Sequence, residues 1–135
     1  MGRPQVILVD THVVVWLAFD QKQISIRAKA AIADARKNAD GLAICDITLL
    51  ELATLARKGR IRLDVSLESF LQEVESRFVV LPISGRACVR AMGLSASYPK
   101  DPADRIIGAT ALVEGLSLLT ADGAIRRART VQTIW

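Results

Sequence analysis

The chain has 135 residues, a hydrophobic content of 51% and a mean hydropathy of +0.31. These values exclude a disordered chain and allow one domain with a substantial core. Lysine and arginine exceed aspartate and glutamate by 18 to 14, and the resulting charge of +4 permits a phosphate-rich partner without requiring one. The longest apolar run, residues 13–19, is far shorter than the ~20 residues of a membrane span, so we expect no membrane association.

Both cysteines of the chain, Cys45 and Cys88, lie within apolar stretches. We therefore expect two buried free thiols rather than a disulfide or a metal site. Free thiols are typical of a reducing compartment, and no signal-peptide pattern precedes the first apolar stretch. The sequence therefore predicts a cytoplasmic protein.

Short apolar strands alternate with helices along the chain. The apolar stretches predict five strands, at residues 5–9, 42–45, 78–81, 116–119 and 131–135. Helical spacing and capping residues predict helices at residues 11–19, 25–37, 48–59, 66–77, 84–97 and 103–114. This alternation predicts one domain over residues 1–135, an α/β sandwich in which helices cover both faces of a parallel sheet.

Four carboxylates occupy comparable places in this predicted fold. Asp10 follows the first strand and Asp122 follows the fourth, whereas Glu51 and Asp104 lie in the first turns of helices. The carboxyl ends of parallel strands and the N-termini of the helices after them share one edge of the sheet, where ligands bind. We therefore expect the four acids to converge.

Helix capping is an alternative explanation for each acid. Thr48 and Glu51 match a capping box, in which the glutamate bonds back to the threonine amide. Asp101, Pro102 and Asp104 match an N-cap, a proline at the first helical position and an acid in the first turn. The other two acids could cap the first helix and start a turn. Capping does not explain why the flanking segments are so apolar.

The apolar flanks predict that the acids lie at a partly buried floor. Clustered carboxylates there should raise one another's pKa unless a cation offsets their charge. A cluster of oxygen ligands without histidine or cysteine favours Mg²⁺ or Mn²⁺ and argues against zinc. The residues alone therefore indicate metal-assisted hydrolysis of a phosphodiester.

Four segments, VILVDTHVVVWL, ITLLELA, KDPADRIIGATAL and LLTADGAI, occur in this order along the chain. The set resembles the PIN-domain ribonucleases, most of all the VapC-type toxins of prokaryotic toxin–antitoxin pairs, over essentially the whole chain. The resemblance implies that Asp10, Glu51, Asp104 and Asp122 bind the metal and carry catalysis. Ala103 departs from the pattern, because relatives often have phenylalanine at this position.

The resemblance also implies supporting residues around the acids. Thr48 matches the serine or threonine three residues before the glutamate, and Thr120 matches the threonine two residues before the last acid. Arg105 matches a common Asp-Arg pair. We expect His12, the only histidine, to pack or orient rather than act as a base. Asp101 is expected to be the N-cap, with a supporting role at the site.

The function that the resemblance implies is Mg²⁺- or Mn²⁺-dependent cleavage of single-stranded or looped RNA by an activated water. The chain would then be the toxin of a type II toxin–antitoxin system. It would be inhibited by a cognate VapB-type antitoxin and would form a homodimer.

Two alternatives come from other functional classes. A receiver or a haloacid-dehalogenase-like phosphatase also uses an aspartate after the first strand together with Mg²⁺. The phosphatase needs a second aspartate two residues later, where this chain has His12, and the receiver needs a lysine that the segment LSLLTAD lacks. A catalytically inactive scaffold that only binds a partner is the other alternative, and the presence of all four acids argues against it.

Basic residues cluster directly after the predicted helix that carries the glutamate. The cluster consists of Arg57, Lys58, Arg60 and Arg62. These cations could contact RNA phosphates or an acidic partner. The alternative is that they only complement the helix dipole.

Overall fold

The computed structural model describes residues 6–37 and 41–135, which form an α/β fold around one parallel sheet. The strands are β1 (Ile7–Val9), β2 (Leu42–Cys45), β3 (Val79–Leu81), β4 (Ser117–Leu119) and β5 (Thr133–Ile134). The helices are α1 (Thr11–Phe19), α2 (Ile26–Ala35), α3 (Ile47–Arg57), α4 (Leu67–Arg77), α5 (Gly85–Met92), α6 (Pro102–Glu114) and α7 (Gly123–Ala128). The predicted fold class, an α/β sandwich with helices on both faces of a parallel sheet, is confirmed.

Side chains alternate between the two faces of the central strand β1, as the period of a strand requires. Ile7 and Val9 face a core cluster that includes Val13, while Leu8 faces the opposite cluster, which includes Ile107. All of these side chains are buried. Both faces of the sheet are therefore apolar, which explains why the strands read as continuous apolar runs rather than alternating ones.

Helices cover each face of the sheet. On one side, α1, α2 and α4 contribute Val14, Ile32 and Val74 to the core, and on the other α5 and α6 contribute Ala87 and Ala109. Within residues 6–37 and 41–135, no helix is long and apolar enough to cross a bilayer.

The strand order β3-β2-β1-β4-β5 indicates where on the sheet a ligand would bind. The chain builds outward from β1 through β2 to β3, and later adds β4 and β5 on the opposite side of β1. Since the order reverses between β1 and β4, the helices that leave these two strands diverge and open a crevice at their carboxyl ends. Ile7, Leu8 and Val9 pair in parallel with Ser117, Leu118 and Leu119, so both strands end at the same level.

Several element boundaries differ from those predicted. The helix predicted over residues 84–97 ends at Met92, since Gly93 follows it and favours termination. Helix α7 was not predicted, because Asp122-Gly123 was interpreted as a turn. Gln5, placed in the first predicted strand, lies outside the described residues.

The two cysteines differ in exposure. Cys45 is buried in β2, as predicted, but Cys88 is exposed, and the prediction for it was wrong. On α5, Ala87 and Ala91 face the core. Cys88 follows Ala87 by one position, a rotation of about 100° around the helix, and this turns it towards solvent.

Candidate active site

Asp10 stands at the crevice between β1 and β4 and is only 3% exposed. Its Oδ1 accepts a hydrogen bond from the Thr11 amide at 2.9 Å, and its Oδ2 accepts one from the Thr120 hydroxyl at 2.8 Å. Asp10 is the N-cap of α1, so the capping interpretation is confirmed for it. The bond to Thr120 goes beyond capping, because it fixes the carboxylate to the adjacent strand.

Thr120 connects Asp10 to Asp122. Its buried hydroxyl donates to Asp10 and accepts from the Asp122 amide at 3.1 Å. The Asp122 side chain caps α7 by accepting from the Ile125 amide at 3.0 Å, so it begins a helix rather than an isolated turn. The strand ends of β1 and β4 are therefore joined through one threonine side chain.

Glu51 is held by Thr11 rather than by a capping box. Helix α3 begins at Ile47 with Asp46 as its N-cap, so Thr48 already lies inside the helix and Glu51 in its second turn. The alternative of a capping box is therefore excluded for Glu51, and its predicted placement in the first turn of the helix was wrong. The Glu51 Oε1 accepts from the Thr11 hydroxyl at 2.5 Å.

Three side chains form a directed chain of hydrogen bonds beside Asp10. The hydroxyls of Thr11 and Thr48 lie 2.9 Å apart. Since the single hydroxyl proton of Thr11 goes to Glu51, Thr48 must donate to Thr11. Sequence reasoning missed Thr11, which binds Asp10 through its amide and Glu51 through its hydroxyl. Its position between the first acid and the only histidine was the available signal.

Asp104 lies in the first turn of α6, where Asp101 is the N-cap and Pro102 the first helical residue. The Asp101 Oδ2 accepts from the Asp104 amide at 3.1 Å, so the predicted capping role of Asp101 is confirmed. Burial raises the pKa of Asp104 to about 7, and the charges of Asp10, Asp101, Asp122 and Glu51 add to this effect.

The pKa of Glu51 is also raised. Burial is the main cause, and the charges of Asp10 and Asp101 contribute, while the hydrogen bond from Thr11 opposes the increase. The acids are thus close enough to repel one another, as the sequence predicted. A cation among them would relieve this repulsion.

The donor set suits a hard divalent cation, because all its charged groups are carboxylates. In the part of the chain that the structure describes, no three acidic, histidine or cysteine side chains converge as a ready-made cage. Mg²⁺ does not require one, since it usually keeps several waters and takes one or two carboxylates. The residues present therefore fit a hydrated ion held among the acids.

His12 lies beside Asp10 and is held there by a backbone amide. Its Nε2 accepts from the Ala121 amide at 3.0 Å, so the imidazole carries its proton on Nδ1, which lies 3.5 Å from the Asp10 Oδ2. The ring also contacts Trp16 edge to face, with centroids 5.0 Å apart. With Nε2 engaged by an amide, the geometry favours the expected orienting role over that of a general base.

Arg105 acts on backbone carbonyls rather than on the acids. Its guanidinium donates to the carbonyls of Ala91, Leu94, Ser95 and Tyr98 at 3.2 to 3.3 Å. These bonds fasten the end of α5 and the following loop to α6. Arg105 therefore supports the fold beside Asp104.

Residues 7–131 match the family model described as PIN domain. The chain belongs to the PIN domain family. A protein named ribonuclease VapC22, from Mycobacterium tuberculosis, is 36% identical over 131 residues, which cover 96% of this chain and 98% of that protein.

Solved structures of similar fold come from toxin–antitoxin assemblies. A chain of a toxin–antitoxin complex from Klebsiella pneumoniae is 25% identical, with a TM-score of 0.62 and 86% of each chain covered. A chain of VapBC2 from Rickettsia felis, bound to a DNA fragment from their promoter, has a TM-score of 0.72 at 18% identity and covers 96% of this chain and 97% of its own. At that identity, the second likeness shows the fold alone.

A cleft of about 540 Å³ borders Glu51 in this PIN domain. It is lined by Glu51 and Asp101 and, further along, by Lys58 and Arg60. Leu50, which is 62% exposed, also lines it. Two members of the basic cluster, Lys58 and Arg60, therefore lie on the same surface as Glu51.

Proposed function

We propose that this PIN domain, residues 1–135, is an endoribonuclease of the VapC type and the toxin of a type II toxin–antitoxin system. The observation that carries the proposal is the grouping of Asp10, Glu51, Asp104 and Asp122 around the crevice between β1 and β4. The 36% identity to a protein named as a ribonuclease, over nearly the full length of both chains, supports the same activity.

PIN-domain ribonucleases generally use a divalent metal ion. For this chain we propose Mg²⁺ or Mn²⁺, held by Asp10, Glu51, Asp104 and Asp122. When bound, the ion lowers the pKa of an attacking water and stabilises charge on the scissile phosphate.

The side chains of the protein prepare this site. Thr120 holds the Asp10 carboxylate at the end of β1, and Thr11 holds Glu51 with support from Thr48. Each carboxylate thereby loses rotational freedom before any ion or substrate arrives, which reduces the entropic cost of binding. The acids position the reaction and do not attack the phosphate.

RNA is the proposed substrate, and the cleft beside Glu51 is its proposed path. Lys58 and Arg60 supply positive charge there, while the acids supply negative charge. An RNA strand in the cleft would therefore contact the two cations through its phosphates and bring one phosphate to the acids.

A VapB-type antitoxin is the proposed partner. The similarity to a chain of a toxin–antitoxin complex supports this assignment. The homodimer and the cytoplasmic location expected from the sequence remain predictions.

A nuclease assay on RNA tests the function most directly. We expect cleavage of single-stranded RNA with Mg²⁺ or Mn²⁺, loss of cleavage in EDTA and recovery when the metal is restored in excess. Cleavage that persists in EDTA would contradict metal dependence. A protein that binds its antitoxin but never cuts RNA would be an inactive scaffold, and hydrolysis of a simple phosphomonoester instead of RNA would indicate a phosphatase.

A further inference from the structure

The aromatic rings of Trp135, Trp16 and His12 contact one another in a series that ends at Asp10, and this series is called the stack below. Trp135 follows β5 and contacts Trp16 on α1, with ring centroids 5.7 Å apart and planes inclined by 52°. Trp16 in turn meets the His12 ring at 5.0 Å in an edge-to-face arrangement. His12 then faces Asp10 through Nδ1.

The two polar contacts of His12 do not by themselves fix the orientation of its imidazole ring. The bond from the Ala121 amide to Nε2 is of ordinary length, but the 3.5 Å between Nδ1 and the Asp10 Oδ2 exceeds the usual hydrogen-bond range. An imidazole with one firm hydrogen bond can still change its ring angle through its soft torsion about the Cβ–Cγ bond. A further contact with the imidazole is needed to keep Nδ1 directed at Asp10, and the edge-to-face contact with Trp16 provides it.

Trp16 itself is half-buried, so its indole needs support on the side away from His12. Trp135 supplies this support. Strand β5 also reaches the site through the backbone, because the Thr120 amide donates to the Ile134 carbonyl at 3.3 Å. The segment 134–135 therefore supports both residues that contact the Asp10 Oδ2, which are Thr120 and His12.

We propose that Trp135 is a positioning residue for the metal site and acts through Trp16 and His12 on the orientation of the Asp10 carboxylate. The proposal deepens the proposed function and rests on it for the identity of the site. It assigns a role at the acids to a residue that follows β5 and is not itself proposed to contact metal or substrate.

Trp135→Leu removes the aromatic ring but keeps an apolar side chain, and Trp135→Phe keeps a ring. Phe19→Leu is the matched control, because Phe19 lies on the same helix as Trp16 and contacts Phe70 with centroids 5.6 Å apart. The control thus loses a comparable aromatic contact away from His12. His12→Ala removes the link between the stack and Asp10.

Mn²⁺ affinity, measured from the paramagnetic resonance of free Mn²⁺, is the first readout. We expect His12→Ala to weaken binding about 10-fold or more, in line with the effect of groups that orient metal ligands. Trp135→Leu should weaken it less, by about 3- to 10-fold, because Trp135 acts through two intervening rings. Trp135→Phe should recover most of the affinity, and Phe19→Leu should leave it unchanged. Equal affinity in Trp135→Leu and the wild type would overturn the proposal, as would equal weakening in Phe19→Leu.

Hydrogen exchange of the Ala121 amide, followed by NMR in the metal-free protein, is the second readout. This amide donates to His12, so it should exchange faster in Trp135→Leu but not in Phe19→Leu. The Asp46 amide, which bonds to the Leu81 carbonyl, is the internal reference. Unchanged exchange of the Ala121 amide in Trp135→Leu would refute the proposed action of Trp135 through the stack, whatever the measured Mn²⁺ affinities. Equal Mn²⁺ affinity in Asp10→Asn and the wild type would refute the proposed metal site instead, and the exchange data keep the two failures distinct.

Discussion

The Thr120 hydroxyl donates to the Asp10 carboxylate at 2.8 Å across 110 positions of sequence. Both side chains are almost completely inaccessible to solvent, so this bond replaces the water that would otherwise solvate Oδ2. It adds a side-chain link to the backbone bond from the Asp10 amide to the Leu119 carbonyl, which also joins the ends of β1 and β4. Its geometry fixes one acid of the proposed site relative to the other side of the crevice.

Replacing Thr120 by valine removes this donor at nearly constant shape. We expect Thr120→Val to lower metal affinity or RNA cleavage by about 10- to 100-fold, since the carboxylate loses the group that orients it. Thr110→Val is the matched control, because Thr110 is also buried and donates to the Ile106 carbonyl within its own helix. If Thr120→Val and Thr110→Val lose similar activity, the loss comes from disturbed packing and not from the missing bond to Asp10.

Asp10→Asn preserves the size of the side chain but removes the charge that would hold the cation. We expect the variant to fold, as judged by circular dichroism, and to show no detectable RNA cleavage in Mg²⁺. Cleavage at the wild-type rate would show that Asp10 does not belong to the metal site.

The raised pKa of Asp104 gives the metal-free protein a defined pH dependence. The folded state holds a proton on Asp104 up to about pH 7, whereas the ordinary value is 3.8, so its ionisation opposes folding. Stability in EDTA should therefore fall as the pH rises through this range. Asp104→Asn should show a smaller fall in melting temperature between pH 5 and pH 8.

Asp104→Asn also tests whether a metal ion binds among the acids. At pH 8, Mg²⁺ or Mn²⁺ should raise the melting temperature of the wild type, because the ion binds the folded state and relieves carboxylate repulsion. The rise should be smaller in Asp104→Asn and unchanged in Asp64→Asn, which alters an exposed acid elsewhere. Equal rises in all three proteins at matched ionic strength would place the ion at another site.

The basic cluster consists of two pairs of residues with the same total charge, one pair that lines the cleft and one that does not. Lys58 and Arg60 line the cleft with Glu51, whereas Arg57 and Arg62 are exposed outside that lining. The double variant Lys58→Ala/Arg60→Ala should weaken RNA binding and reduce the salt slope of log K by about 1.4, if each cation contacts one phosphate of a single strand. Arg57→Ala/Arg62→Ala removes the same charge and should change the slope less.

Cleavage of saturating substrate should change little in either pair, because bound RNA would still reach the same acids. Helix-dipole complementation alone would instead lower the melting temperature without changing RNA affinity. Equal salt slopes in the wild type and both double variants would exclude RNA contact by these cations.

Arg105 is expected to matter for stability rather than for chemistry. Arg105→Ala leaves the four carbonyls without their charged donor and should cost about 2 to 4 kcal/mol of the free energy of unfolding. Urea denaturation measures this loss, with Arg90→Ala as the control for an exposed arginine. RNA cleavage well below the melting temperature should persist, and its loss without a change in stability would contradict this role.

The sheet and the edge that carries the acids could be predicted from the sequence because both follow from simple periodic rules. Apolar runs ending in Asp10 and Thr120-Ala-Asp122 indicate strand ends, and parallel strands bring their ends together. The bonds of Glu51 could not be predicted in this way. A capping box with Thr48 and a bond to Thr11 both use the Glu51 carboxylate. The start of α3 at Ile47, which places Thr48 inside the helix, excludes the capping box.

Long-range side-chain contacts were likewise beyond the sequence pattern. Nothing in the spacing of Arg105 distinguishes a metal-site residue from one that binds carbonyls of the preceding loop. The exposure of Cys88 depended on which side of α5 faces the sheet, and its apolar neighbours did not reveal this. These outcomes depend on the packing of α5 against α6, which no local pattern encodes.

The position of β4 beside β1 has a consequence for synthesis of the protein. While a ribosome is still translating the segment before β4, Asp10 has neither its partner Thr120 nor the crevice that the two strands form. The proposed nuclease site therefore cannot exist on a nascent chain that already displays β1, β2 and β3. If the protein degrades RNA, the translating ribosome is protected from its own product until β4 emerges and docks.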